Sequence, residues 1–335
     1  MNIKEIKRNY QRFENKLFAQ IKSYYPNSPK LLKIIFLIIW KVFQIKFYKR
    51  IPIQIPKKEI HFILKSLRKD GYIKLDKEKL YTKNELLTLH RIKELSLERI
   101  TKFENNKHDP NFQKELAIKK SFNKKCLDKP FRYDLGNYMK FGKGPVLIKK
   151  DDIFNKLLIQ IGLKSDFLQI AKKYLGIYPK LGRFYAWYDY PNNTQSVSTQ
   201  LWHRDNDDIK FLKIFVALDK ITKDNGAHSY IKKTHSDGAF HKIKGNSSTK
   251  FNTFKTFDQN QIWNLVPIHL KEVAESNFGT TIFEDTSGIH CGLKPKKGTR
   301  LMLTFEYFSR LSPHFVNYII EDRQNLKDYQ IEALL

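Results

Sequence analysis

Apolar residues recur at two different periods along this chain, and the change from one to the other divides it. Between residues 83 and 105, Leu86, Leu89, Ile92 and Leu95 fall three apart, with Leu87 beside the first, a spacing that lines one side of a helix. Residues 58–70 also read as a helix, and "DGYIKLD" between the two reads as a turn followed by a short strand. From about Lys180 the period becomes two. "RFYAWYDY", "FLKIFVALDKI", "TTIFED" and "RLMLTFEYF" are short aromatic and β-branched runs, separated by Gly, Asn, Asp and Pro turns. Helices first and strands later predict an α+β fold in which a β-sandwich or barrel carries the chemistry. No repeat or Gly/Ser linker interrupts the pattern. The clearest boundary is "RIPIQIPKKE", where Pro52 and Pro56 forbid a continuous helix. Three segments result: residues 1–56, a main domain at 57–310 and a helical extension at 311–335.

Composition narrows the class. With 335 residues, 41% of them hydrophobic, the chain can bury one large core and is not a disordered protein. Its two cysteines, Cys126 and Cys291, are too few for a disulfide framework and lack zinc-finger spacing, which predicts a reducing, cytoplasmic setting. The formal charge of +28 predicts anionic partners or substrates. Residues 1–60 hold 14 Lys and Arg against 3 Asp and Glu, and there lysines flank the apolar run Ile34 to Trp40. That run is far shorter than the roughly 20 apolar residues of a membrane span. Two readings stand side by side: a helix lying peripherally on an anionic membrane with its lysines snorkelling, and an ordinary helix packed on the domain. No nucleic-acid-binding signature accompanies the charge.

The candidate chemistry sits in "QLWHRDNDD", residues 200–208. On an extended strand, side chains two apart share a face, so His203 and Asp205 can present a nitrogen and an oxygen to one point. A second histidine from a distant strand would complete a facial set that leaves three positions of an octahedral iron(II) open. His290 fits, at a strand end beside two glycines. The pattern His-x-Asp is weak alone, because His235 and Asp237 repeat it; but that copy ends a basic stretch and runs into a Gly turn, whereas His203 precedes a strong strand. Ten residues beyond His290, Arg300 shares a face with Met302 and Thr304, and its fork suits the distal carboxylate of a dicarboxylic co-substrate. His228 and His235 read as structural, Asp207 and Asp208 as a solvated turn, and Cys291 as packing on the face opposite His290.

The stretch "QLWHRDNDDIKFLKIFVALDKITKDNGAHSYIKKTHSDG" resembles the core of the phytanoyl-CoA dioxygenase family of iron(II)- and 2-oxoglutarate-dependent oxygenases. The His-x-Asp, the lysine-containing strand after it, the "DNGAH" turn and a Thr-His pair carry the likeness. "ILKSLRKDGYIKLDKEKLYTKNELLTL" resembles the family's opening helix, turn and strand, and His290 and Arg300 follow in the family's order, so the likeness runs from about Lys58 to Phe308. "SYIKKTH" departs from it by lacking the Pro-Gly usual before the Ser-His. The resemblance implies a double-stranded β-helix, or cupin-like jelly roll, with flanking helices. It implies iron(II) held by His203, Asp205 and His290, 2-oxoglutarate as co-substrate, and dioxygen. Hydroxylation is implied over halogenation, since the carboxylate ligand is present. Lys213 shares strand parity with Phe215 and Ala217, which places it toward the cavity, in reach of 2-oxoglutarate or an anionic substrate. Gln200 joins Arg300 and Lys213 as a candidate co-substrate contact, and Tyr185 and Trp187 as candidate pocket walls. The substrate expected is an anionic small molecule or a lipid- or glycan-linked group. Two other classes remain: a basic membrane- or polyanion-binding protein on a degenerate oxygenase scaffold, and a zinc hydrolase, which an open N/O site permits.

Overall fold

The structure, a computed structural model, describes residues 55–106, 132–135, 146–191, 198–208, 210–243, 255–309 and 318–334, with isolated positions such as Ile51 and short pieces between. Of residues 1–50 only Ile35 is described, so the rest of the apolar run Ile34 to Trp40 lies outside the described residues. In chain order the elements are α1 (Lys57–Asp70), β1 (Tyr72–Leu75), α2 (Lys83–Asn106), β2 (Arg132–Leu135), β3 (Val146–Ile148), α3 (Ile153–Gly162) and α4 (Ser165–Leu175). Then come β4 (Lys180–Asp189), β5 (His203–Arg204), β6 (Leu212–Ala217), β7 (His228–Ile231), β8 (Asn246–Ser247), β9 (Lys255–Thr256), α5 (Gln259–Leu265) and β10 (Lys271–Ala274). β11 (Thr281–Glu284), β12 (His290–Gly292), β13 (Arg300–Phe308), β14 (Tyr318–Ile320) and α6 (Asp328–Leu334) complete the series.

The helix boundaries follow local chemistry. α1 begins after Pro56, which has no amide hydrogen to leave unsatisfied, and buries Ile60, Ile63, Leu64 and Leu67 on one face. It ends at Gly71 (φ 76°), whose amide donates to the Leu67 carbonyl; a Cβ there would lie 2.2 Å from the Tyr230 hydroxyl. Only glycine meets both demands. α2 opens on a reciprocal cap, in which the Thr82 amide donates to the Glu85 carboxylate and the Glu85 amide donates to the Thr82 hydroxyl.

Two six-stranded sheets face each other. One runs β1-β11-β6-β13-β4-β2 and the other β10-β7-β12-β5-β9-β8, with every pairing antiparallel. This is the α+β jelly roll expected. The outer face of the first sheet carries Leu301, Leu303, Phe305, Ile214 and Val216, packed with residues of α1 to α4 in one large apolar cluster. A buried leucine such as Leu303 contributes about 1.5–3 kcal/mol by leaving water. The inner face of β13 holds Arg300, Met302, Thr304 and Glu306, and strand pairing aligns them with Asp189, Trp187 and Tyr185 of β4 and with Lys213, Phe215 and Ala217 of β6. The outer face is apolar, while the inner face sets charged and hydroxyl groups among Met302, Phe215 and Ala217, and that mixture makes the interior a site.

The ends of the chain join this body. Ile51 is buried in the main cluster, and the Ile55 amide donates to Asp166 at 3.1 Å, so packing begins on the N-terminal side of Pro56. The tail contains a strand as well as a helix: β14 pairs with β3 in parallel, and Tyr329 and Leu334 of α6 belong to the main cluster.

Candidate metal centre

β5 and β12 are short, and they bring two histidines face to face. His203 stands directly opposite His290 in the ladder, with ring centroids 4.1 Å apart. Asp205 follows β5, and its amide donates to the Thr286 carbonyl at 2.9 Å, which keeps the side chain beside the histidines. One ligand atom from each of the three lies within 4.8 Å of the others, and among the described residues this is the one such cluster. His203 Nε2 is 3.7 Å from Asp205 Oδ1, and His290 Nε2 is 3.5 Å from Oδ2. With bonds of about 2.1 Å, adjacent ligands of an octahedral ion sit about 3 Å apart, so an ion would draw these groups in only slightly.

The ring orientations are fixed from behind. His203 Nδ1 lies 2.8 Å from the Leu201 carbonyl and His290 Nδ1 lies 3.0 Å from the Gly288 carbonyl. A carbonyl only accepts, so Nδ1 donates and Nε2 turns toward Asp205. Burial, reinforced by the neighbouring His290, lowers the His203 pKa to about 3 and keeps that imidazole neutral. Burial also opposes charge on His290, but Asp205 and then Glu284 outweigh it and raise its pKa. At Asp205 burial works upward, while the Lys213 ammonium and the two imidazoles hold the carboxyl well below its ordinary range. The site therefore offers one neutral imidazole, one anionic oxygen and one imidazole that gives up a proton to a metal.

The second His-x-Asp pair is not a site. His235 is buried, with Nε2 donating to the Arg68 carbonyl at 3.2 Å, and Asp237 points outward to Lys210 at 2.7 Å. Cys291 packs with Trp202, Ile231 and Ile289, on the face away from His290.

The remaining candidates take definite places. Arg300 is 1% exposed; Nε donates to Asp189 Oδ2 at 2.8 Å, Nη2 donates to the same oxygen, and Nη1 donates to the Gly226 carbonyl. Gly292 leaves room for this guanidinium, since a Cβ there would lie 3.0 Å from Nη2. Lys213 faces inward as its parity predicts, with Nζ 2.8 Å from Asp205, 2.9 Å from Asp207 and 3.1 Å from Glu306. Tyr185 and Trp187 stack with centroids 5.2 Å apart, and the Tyr185 hydroxyl donates to Glu306 at 2.8 Å. Gln200, in the short 3-10 turn Ser198–Gln200 just before β5, is buried.

Two expectations are corrected. Asp207 is not in a solvated turn: it is 8% exposed and bound by Lys213 and by Arg183 Nη2 at 3.1 Å. Asp208 accepts from the Ser309 amide at 2.9 Å and from its hydroxyl at 2.5 Å, so it closes the loop onto the end of β13. Sequence reasoning also passed over Arg183, Glu284 and Glu306. Glu306 had a signal, since it continues the parity of Arg300, Met302 and Thr304; Asp207 had none. His228, read as structural, faces the interior with Nε2 2.7 Å from Glu284 Oε2 and its ring 5.7 Å from that of His290. Burial pushes the Glu284 carboxyl up to about 8.

No family model matches this chain, and no curated protein matches it. Several solved structures resemble it. One is the epimerase SnoN in complex with Fe3+, alpha ketoglutarate and nogalamycin RO, at 12% identity and TM-score 0.45, covering 76% of this chain and 84% of that one. Another is EctD from S. alaskensis with 2-oxoglutarate and 5-hydroxyectoine, at 15% identity and TM-score 0.46, covering 81% and 83%. A third is HygX from Streptomyces hygroscopicus with nickel and 2-oxoglutarate bound, at 13% identity and TM-score 0.43, covering 75% and 87%. Likeness at this level does not reach the chemistry of this chain, which its own residues must carry.

Proposed function

We propose that this chain is an iron(II)- and 2-oxoglutarate-dependent dioxygenase of the phytanoyl-CoA dioxygenase kind, hydroxylating an anionic small molecule or a lipid- or glycan-linked group. The observation that carries the reading is the convergence of the buried His203 and His290 and the half-buried Asp205 on one point between two sheets. Two nitrogens and one carboxylate on one side of an ion leave three positions for a chelating co-substrate and dioxygen. When bound, iron and 2-oxoglutarate together supply an oxidant made from dioxygen.

The chain's own residues do the rest. His203 and His290 present Nε2, and Asp205 adds one negative charge that favours a divalent ion. Arg300 supplies a buried cation on the inner face for the distal carboxylate of 2-oxoglutarate, with Asp189 orienting its fork. Thr304 Oγ1, two residues along on the same face, is buried with no hydrogen-bond partner, and a polar ligand entering there would satisfy it. Gln200 precedes the ligand strand and stands as a further contact. Tyr185 and Trp187 give the interior an aromatic wall. The net charge of +28 supports an anionic substrate. It also supports residues 1–56 holding a cytoplasmic enzyme at an anionic membrane surface, tested by sedimentation with anionic vesicles at low and high salt. Among the described residues no helix is long and apolar enough to cross a membrane.

Anaerobic addition of iron(II) and 2-oxoglutarate to the purified chain should produce the visible charge-transfer band of a chelated iron(II) complex, and admitting air should yield succinate. His203→Ala should abolish both. A folded protein that binds iron(II) but shows neither band nor succinate would defeat the co-substrate assignment.

A further inference from the structure

Lys213 is unusual in being a buried cation in direct contact with a metal ligand. An ammonium has three N–H donors, and three carboxylates surround this one: Asp205 Oδ2, Asp207 Oδ2 and Glu306 Oε1. Two of the three are themselves anchored. Glu306 accepts from Arg183 Nε and from the Tyr185 hydroxyl, and Asp207 accepts from Arg183 Nη2. Lys213 therefore cannot swing toward a fourth acceptor without leaving buried carboxylates behind, which is costly. Its donors are committed to the protein.

We propose that Lys213 is a positioning residue for the metal centre. Held by Asp207 and Glu306, it occupies Oδ2 of Asp205, so that this side chain gives the metal one oxygen, Oδ1, and not both. This inference rests on the metal reading above. Its consequence is coordination number. A carboxylate can bind through two oxygens and would then take one of the positions a co-substrate and dioxygen need; with one lone pair of Oδ2 accepting from an ammonium at 2.8 Å, that mode is disfavoured, because the oxygen shares its charge with a second cation. A second consequence concerns affinity: a fixed positive charge beside the ligand opposes the ion, so the centre gives up metal affinity to keep its open positions.

Manganese(II) is the probe, because water-proton relaxation counts the waters bound to it. The wild-type chain should hold one ion with three exchangeable waters. Lys213→Met should bind manganese(II) more tightly, by about tenfold or more, since an opposing charge is gone. It should also lose about a third of the inner-sphere relaxivity as Asp205 becomes bidentate and three waters become two. A merely structural lysine would do the opposite, because disordering Asp205 weakens metal binding. Should Lys213→Met not fold, Lys213→Gln keeps two N–H donors without the charge. It should bind more tightly while retaining three waters. Binding equal to or weaker than wild type in either folded variant overturns the proposal. A His203→Ala control separates the two readings: if it binds manganese(II) as well as wild type does, the metal centre itself is wrong and the role of Lys213 falls with it.

Discussion

Replacing Arg183 with Met keeps much of the side chain's volume and removes one charge from the buried network behind Asp205. Arg183 donates through Nε to Glu306 and through Nη2 to Asp207 at 3.1 Å; its side chain is 11% exposed and that of Glu306 only 1%. Burial opposes its charge, but Glu306 and then Asp207 outweigh burial and raise its pKa, so the guanidinium is cationic at any working pH. Removing one partner of a buried pair costs about 3–5 kcal/mol, because the charge left behind is stranded. Here Lys213 still touches both carboxylates, at 2.9 and 3.1 Å, which places the cost near the low end, about 3 kcal/mol. In a domain of this size 1 kcal/mol moves the melting midpoint by about 2 °C, so metal-free Arg183→Met should melt about 6 °C below wild type. Saturating manganese(II) restores positive charge beside the network and should shrink that gap. Differential scanning fluorimetry with and without the ion measures both. Arg91→Met, at an exposed helical pair with Glu94, serves as the control and should not shift the midpoint. An Arg183→Met midpoint within about 1 °C of wild type in the metal-free protein would refute the claim that this network holds the site.

Asp237→Ala should leave manganese(II) affinity unchanged while Asp205→Ala removes it, as read by calorimetric titration; equal loss from both would reverse the choice between the two His-x-Asp pairs. Metal affinity should fall on acidification. The His290 pKa is raised, its protonated ring cannot ligate, and so below that pKa each pH unit should cost up to about tenfold in apparent affinity, with a plateau above it. Titrations at several pH values that show no such slope would contradict the assignment of His290. Arg300→Lys keeps the charge and loses the fork, so it should weaken 2-oxoglutarate binding in the charge-transfer titration while manganese(II) binding holds; unchanged 2-oxoglutarate affinity would move the anchor elsewhere.

Several elements were legible because they depend on neighbours in the chain. The three-residue spacing through Leu89, Ile92 and Leu95 and the Pro56 and Gly71 punctuation define α1 and α2 within a residue or two of where they lie. Alternation along "RLMLTFEYF" separates an apolar face packed on helices from a polar face turned inward. The same parity sets Lys213 toward the interior. The spacing of His203 and Asp205 and the strand position of His290 marked the metal cluster, but only because His203 precedes a strong strand whereas the same spacing at His235 and Asp237 runs into a Gly turn.

Parity determines a face and cannot determine what stands across from it. That Arg300 meets Asp189, and Lys213 meets Glu306, follows from the register of β13 against β4 and β6, set by ladder hydrogen bonds over separations of about a hundred residues. The Asp207 contacts with Lys213 and Arg183 depend on a loop folding back over the sheet edge, which leaves no periodic trace. The residue types and their faces were thus determined by the sequence alone. Which charges neutralise which, and so why a lysine sits against a metal-ligating carboxylate, was decided only when distant strands came into register.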